Sequence, residues 1–310
     1  MNLEQETRNG YFISAEMKKV WAVEMELLEK LLEVCNKHNL KIWAEGGTLL
    51  GAVREHGYIP WDDDIDMAMP REDYDKLIAI SKKEFTSPYH FQSGHTEPKY
   101  PIGHAQLRKD GTTAILKGNE FFSFHQGIFI DIFVYDEIPE DENELANLKK
   151  KVSKMRSNLL RYCGNKYRFT HPLYSLKLFF FRMPIKIIGY HNYFKKMEDL
   201  LKSYKGKEVA CMGFSLDITR FRRNVSAYNK TLFIPFEDIM IPIPSGYDSI
   251  LTTQYGNYMI PSKAPTFHGG FVVIDTEKSF KEYIPLLRKK AKKEIIQLRK
   301  NKIKKIFGFQ

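Results

Sequence analysis

The stretch GYIPWDDDIDMAMP, residues 57–70, sets four aspartates within five positions between a proline-tryptophan step and a run of small apolar residues. Like charges a few ångströms apart repel, and burying them costs several kcal/mol per ion unless a cation lies between them. Three readings fit: a metal site, a helix start, or a solvated acidic turn. Polar and apolar residues alternate with period two through DIDMAM, which predicts a strand over 64–69 ended by Pro70. In such a strand Asp64 and Asp66 point to one side and Ile65, Met67 and Met69 to the other. The two Cβ atoms then stand about 6.5–7 Å apart. Two carboxylates at that spacing can share a divalent ion at Mg–O distances of about 2.1 Å. Asp62 and Asp63 precede the strand and read as turn or outer residues.

Upstream, LKIWAE (40–45) reads as a short strand that ends at Gly46-Gly47, and TLLGAVREHG (48–57) as a helix closed by Gly57. Two glycines between strand and helix let the backbone approach an anion, and helix-start N–H groups favour phosphate. The turn is neither a Walker loop nor G-x-G-x-x-G. Arg54 follows one or two turns on, as a phosphate contact or, by default, a plain surface arginine. Further upstream, residues 14–38 have a helical apolar face with Ser14 as the cap.

Downstream, REDYDKLIAISKKEF (71–85) predicts a helix with acids in its first turn, and HAQLRK (104–109) and TTAILK (112–117) predict strands. GIFIDIFVYDEIP (127–139) is the strongest strand signal in the chain. Asp131 lies in its middle, on the same side as Phe129 and Phe133, and a carboxylate there needs a partner or a function. Either it pairs with an arginine such as Arg108, or its strand lies beside Asp64 and Asp66 and completes a three-carboxylate cradle.

The 310 residues, 43% hydrophobic and 14% aromatic, are enough for one large folded domain or two small ones. A strand, a glycine turn, a helix and further strands predict a mixed α/β (α+β) core with helical additions. The expected division is a core over 1–140, a helical basic and aromatic insertion over 141–205, a C-terminal part of the core over 206–280 and a basic amphipathic tail over 281–310. Cys35, Cys163 and Cys211 are far apart and form no C-x-x-C pair, which favours a reducing compartment. The N-terminus lacks the basic-then-apolar layout of a secretory signal, and no apolar run is long enough for a membrane span. Of the net charge of +10, residues 288–305 supply +9, with ten Lys or Arg against one Glu. The body is therefore not a nucleic-acid surface on charge, and no nucleic-acid partner is expected.

Leu287, Ala291, Ile295, Leu298 and Ile306 share an arc of the tail helix, although Ile296, Ile303 and Phe307 break the division. A basic amphipathic helix suits an anionic membrane surface, and LKLFFFRMPIKIIGY (176–190), broken by Arg182, Pro184 and Lys186, suits an interface better than a span. Both segments read equally as a solvated helix and a core helix.

The order of glycine turn, D-x-D strand and later single aspartate resembles the nucleotidyltransferase superfamily. More narrowly, GGTLLGAVREHGYIPWDDDIDMAMPREDYDKL (46–77) with GIFIDIFVYDEIP resembles the LicD family of bacterial phosphocholine transferases, to which fukutin-related protein is distantly related. The resemblance runs from about residue 40 to 139. It continues weakly through LTTQYGNYMIPSKAP (251–265), where Asn257 stands at an often acidic position. It implies a nucleotidyltransferase-like mixed sheet flanked by helices. It also implies Asp64, Asp66 and Asp131 as catalytic ligands of Mg²⁺ or Mn²⁺, with Gly46, Gly47 and Thr48 against the donor phosphates. Arg54 and Arg108 are secondary phosphate contacts. The implied reaction moves a phospho-alcohol, typically phosphocholine, from a CDP-linked donor such as CDP-choline to a hydroxyl of a glycan or lipid-linked glycan, releasing CMP. Such an enzyme would be cytoplasmic and peripheral at the inner face of a bacterial membrane. Three rivals remain: a D-x-D glycosyltransferase using a nucleotide sugar, a nucleotidylyltransferase that attaches AMP or CMP to an acceptor, and a non-catalytic anion- or membrane-binding protein on the same fold.

Overall fold

The protein is described by a computed structural model over residues 1–164, 172–210, 222–262 and 271–307, with backbone only for 172–178 and 302–307. Its organising element is β8 (Phe129–Ile138), ten residues of mostly β-branched and aromatic side chains. On one edge β8 pairs in parallel with β4 (Asp66–Pro70), with Asp66 opposite Asp131. Its N-terminal half also pairs antiparallel with β6 (Ala105–Lys109), and its C-terminal half with β9 (Glu208–Ala210). Outside these lie β3 (Trp43–Ala44), β5 (Tyr89–Gln92) and β10 (Arg223–Asn224), completing a mixed seven-stranded sheet. This is an α/β fold.

The sheet's two faces differ in chemistry because side chains alternate along each strand. One face carries Met67, Met69, Leu107, Ile130, Ile132 and Val134 into the main core. Packed there is α1 (Ala15–Lys37), whose Trp21, Leu27, Leu28 and Leu31 are fully buried. Its start is set by Ser14, whose Oγ accepts the Met17 N–H at 3.2 Å. The opposite face carries Asp66 and Ala68 from β4, Asp131, Phe133 and Tyr135 from β8, and Gln106 from β6. The candidate site lies on this second face.

Between β3 and β4 runs α2 (Gly46–Arg54), and α3 (Arg71–Glu84) follows β4 directly. The basic insertion forms α4 (Glu142–Cys163), α5 (Pro172–Ile188) and α6 (Tyr190–Lys202). These helices share a small core of Leu159, Ile185, Tyr193, Phe194 and Met197, and α6 also packs on β8. Further on come α7 (Tyr247–Tyr255) and α8 (Phe280–Phe307), which contains the basic tail.

Three boundaries differ from the sequence reading. The ladder of β4 begins at Asp66, so Asp64 lies in the preceding loop. That loop is held by other bonds: the Asp62 N–H donates to the Ile59 carbonyl, and the Trp21 indole donates to the Asp62 carbonyl. Helix α2 starts at Gly46 rather than Thr48, which shortens the strand before it to two residues. It also ends before Gly57. The left-handed residue there is His56 (φ 56°), and Gly51 packs so closely on Gly57 that a Cβ would meet its carbonyl oxygen at 2.4 Å.

In the tail, Leu287, Ala291 and Ile295 are half-buried and Leu298 is exposed; the side chains of Ile303, Ile306 and Phe307 lie outside the described residues. Part of that stripe rests on the protein, where Leu287 packs beside Ile284 against Ile115. Arg288 donates to the carbonyls of Glu120 and Phe122. Cys211 also lies outside the described residues, and Cys35 and Cys163 are free thiols.

Candidate active site

The parallel register of β4 and β8 puts Asp66 and Asp131 side by side on one face, with strands about 4.8 Å apart. Asp131 is buried, and its Oδ1 lies 3.0 Å from His104 Nε2 and 2.7 Å from the Gln106 amide that donates to it. The ring of His104 leans on Phe133, with centroids 4.4 Å apart. Asp131 is thus fixed in rotamer by groups on the neighbouring strand and its entry turn.

Asp66 is held differently. Its backbone N–H donates to Thr48 Oγ1 at 2.8 Å, and its carbonyl accepts the Glu45 N–H at 2.9 Å. Its Oδ1 is buried and has no hydrogen-bond partner among the described residues. Burial, then the charges of Asp64, Asp131, Asp62 and Glu45, push the Asp66 carboxyl well above the usual range. In the loop just before, the carboxylates of Asp62, Asp63 and Asp64 each bring an oxygen within 4.8 Å of the others. All three loop aspartates therefore converge, where the sequence reading gave Asp62 and Asp63 an outer role.

The glycine turn explains why glycine is needed there. Gly46 has φ +53°, and a Cβ on it would sit 3.1 Å from Asp66 Oδ2; a Cβ on Gly47 would sit 2.4 Å from Asp62 Oδ2. The start of α2 thus lies directly against the acids. Hard oxygen donors gathered at a helix start, one of them orphaned and buried, fit a divalent cation such as Mg²⁺ or Mn²⁺. The oxygens that meet within 4.8 Å are those of Asp62, Asp63 and Asp64; Asp66 and Asp131, paired across their strands, are not part of that group, so of the expected triad Asp64 alone belongs to it.

The two arginines stand apart from this cluster. Arg54 ends α2, about 12 Å along the axis from Gly46. It is tied to Glu55 at 2.7 Å and to the Tyr258 carbonyl at 3.0 Å. Arg108 is buried, donates to Gln92, Gln106 and the Gly127 carbonyl, and lies over the Phe129 ring at 4.4 Å. It does not pair directly with Asp131; Gln106 bridges them, accepting from Arg108 and donating to Asp131.

Sequence reasoning missed Glu45 and Arg223. Glu45 stands at the N-cap position of α2, and its buried carboxylate receives both Nη1 (2.5 Å) and Nη2 of the Arg223 guanidinium, together with the Tyr135 hydroxyl. Glu24 of α1 was missed too. It is buried beside Asp63 and Asp64 in a cleft walled by Ile128, Phe129 and Phe271, and accepts the Tyr58 hydroxyl at 3.0 Å. Burial and then the Asp64 charge push its carboxyl well up.

The profile of the LicD/FKTN/FKRP nucleotidyltransferase domain matches residues 39–185. Over those residues the chain is similar to the LicD family. Over 271 residues it is 27% identical to the lipopolysaccharide cholinephosphotransferase LicD of Haemophilus influenzae, covering 78% of this chain and 93% of that protein. Two uncharacterised Rickettsia proteins are similar over 40% of this chain. That of Rickettsia typhi is 36% identical and covered over 37% of its length; that of Rickettsia prowazekii is 34% identical and covered over 44%. The matched LicD domain contains Glu45, the glycine turn, every aspartate of the cluster, His104 and Gln106. Arg223 and α6 lie beyond it.

Proposed function

We propose that this protein is a LicD-type phosphotransferase. It moves a phospho-alcohol group, phosphocholine first among the choices, from a CDP-linked donor to a hydroxyl of a cell-surface glycan or its lipid-linked precursor. The observation that carries this reading is the parallel register that sets Asp66 beside Asp131, with the Asp66 carboxylate against Gly46 at the start of α2 and the Asp64 charge near enough to raise it. Mg²⁺ or Mn²⁺ held by these three carboxylates would neutralise the donor's diphosphate and stabilise charge on the departing CMP. The Gly46-Gly47 turn leaves room for the diphosphate to approach the helix start. Thr48 fixes the backbone of Asp66, and His104 and Gln106 fix the carboxylate of Asp131. The acceptor oxygen attacks the phosphorus bearing the alcohol, the P–O bond to CMP breaks, and a carboxylate of the cluster takes the hydroxyl proton.

The test is CMP release from CDP-choline by purified protein with Mg²⁺ and a crude membrane-glycan fraction, beside a panel of UDP-sugars. Metal-dependent CMP release is the expected result. Release of UDP instead would move the assignment to a glycosyltransferase.

A lipid-linked acceptor calls for a membrane-facing surface, and α5 supports that reading. Among the described residues no helix is long and apolar enough to cross a membrane. On α5, however, Phe180 (65% exposed), Pro184 and Ile187 (74% exposed) share one outward face at i, i+4 and i+7. Lys186 lies over the Phe179 ring and Arg161 over that of Phe181. Residues 142–202 hold fourteen Lys or Arg against four Asp or Glu, a match for anionic lipid. Replacing Phe180 or Ile187 by Asp is expected to weaken sedimentation with phosphatidylglycerol vesicles by at least about tenfold, from lost apolar burial alone. Unchanged binding would return the role to the tail.

A further inference from the structure

We propose that Arg223 is a positioning residue of this site: its guanidinium holds Glu45 and, through Glu45, sets the Gly46-Gly47 turn against the carboxylates of Asp66 and Asp62. The inference rests on the phosphotransferase reading for its catalytic consequence, but its geometry stands independently.

The fork of Arg223 bonds both oxygens of Glu45, and Nη1 also reaches the hydroxyls of Tyr135 (2.6 Å) and Tyr228 (3.0 Å). Both charged residues are buried, and the guanidinium lies 5.5 Å from the Tyr135 ring centroid. Burial opposes the charge on Glu45, but Arg223 outweighs it and holds the carboxyl below its ordinary value. A buried ion pair is by itself weak evidence for anything beyond folding. What distinguishes this one is where its acid sits.

Glu45 occupies the capping position of α2, yet its carboxylate makes no capping hydrogen bond. It is turned instead onto Arg223, which ties the residue to β8 through Tyr135 and to β10 through Arg223 itself. The same Glu45 donates its backbone N–H to the Asp66 carbonyl. The next two residues are the glycines whose missing Cβ atoms let Asp66 and Asp62 approach. Two consecutive residues of one turn are therefore fixed from opposite sides, by Arg223 and by the acids. Outer partners that orient metal-holding groups typically change affinity or rate by roughly 10–100-fold when removed. Lysine cannot replace the fork, because one ammonium cannot span both carboxylate oxygens and the tyrosine hydroxyls in the same plane.

The test compares wild type, Arg223→Ala, Arg223→Lys and Glu45→Gln in Mn²⁺ titration followed by electron paramagnetic resonance and in CMP-release kinetics, with thermal unfolding as a check on folding. Arg223→Ala is expected to lower Mn²⁺ affinity and kcat by roughly 10–100-fold each, with donor KM little changed. Millimolar guanidinium should restore a large part of both, and Arg223→Lys should stay impaired. Full Mn²⁺ affinity and kcat in folded Arg223→Ala would overturn the proposal, as would impairment that guanidinium does not relieve. If Arg223→Ala fails to fold, Glu45→Gln decides: wild-type Mn²⁺ affinity and kcat there overturn the proposal, and a loss in both supports it. The Mn²⁺ titration uses no donor, so it still decides if wild type releases no CMP.

Discussion

Asp131→Asn and Asp66→Asn are each expected to lower CMP release by at least about 10³-fold, or about 4 kcal/mol of transition-state stabilisation. Asparagine keeps the shape of the side chain and removes one charge, so the fold should survive. The two variants should differ in a second measurement. Asp66 is buried among like charges, and its carboxyl is raised well above the unfolded value near 3.9. The unfolded chain therefore gives up that proton first, and stability falls as pH climbs from about 4 toward the folded value. Metal-free wild type should lose stability over that range and regain it with Mg²⁺. Asp66→Asn removes the cause. It should unfold at least about 2 °C higher than wild type in EDTA near neutral pH, and Mg²⁺ should add little. Asp131, already accepting from Gln106 and facing His104, should gain less. Equal activity in either variant, or a Tm for Asp66→Asn that tracks wild type across pH, would remove the carboxylate cradle from the mechanism.

The parts of the site that were legible are those where one residue type repeats at a structural period. DIDMAM announced its strand by alternation, and Asp131 stood out because it interrupts the longest apolar run. The glycine turn is weak evidence alone, since most such pairs are only tight turns, and it gains meaning from the D-x-D strand that follows it. The strand's first residue was not legible, because alternation continues through Ile65, whose carbonyl still accepts the Asp131 N–H, while the ladder proper starts one residue later. Arg108 misled for a related reason. From the sequence Arg108 reads as the partner of Asp131 or as a phosphate contact, but it spends its guanidinium on Gln92, Gln106 and Gly127 and reaches Asp131 only through Gln106. Arg223 had no local signal at all, since it sits in a two-residue strand 178 residues from its partner. The available clue was Glu45, a charge at the end of a buried strand that had to be compensated somewhere.

Arg71→Ala is expected to be the most destabilising of these substitutions, by about 3–5 kcal/mol, because it strips the cation from two buried acids at once. Arg71 opens α3, and its Nε and Nη2 each donate to Asp136 of β8 at 2.7 Å, while Nη1 donates to Glu198 of α6 at 3.1 Å. Asp136 and Glu198 are both almost wholly buried. The same Glu198 also receives His95. This network joins α6, and with it the basic helical layer, to the sheet that carries the site. Its pH dependence has a definite sign. Burial opposes ionisation of Glu198, but His95 and Arg71 outweigh it and hold the carboxyl below 4.5. The stability that this group contributes is therefore present above about 4.5 and lost as pH falls through the lowered folded value. Wild type should show that acid limb, and Arg71→Ala should show a weaker one on a Tm lower by on the order of 10 °C. The combination Arg71→Met, Asp136→Asn and Glu198→Gln should recover much of the loss, because the cost lies in the stranded charges more than in the missing attraction. A combination no more stable than Arg71→Ala would mean that the guanidinium's packing on Tyr74, 5.4 Å from its ring centroid, matters more than the charges it balances.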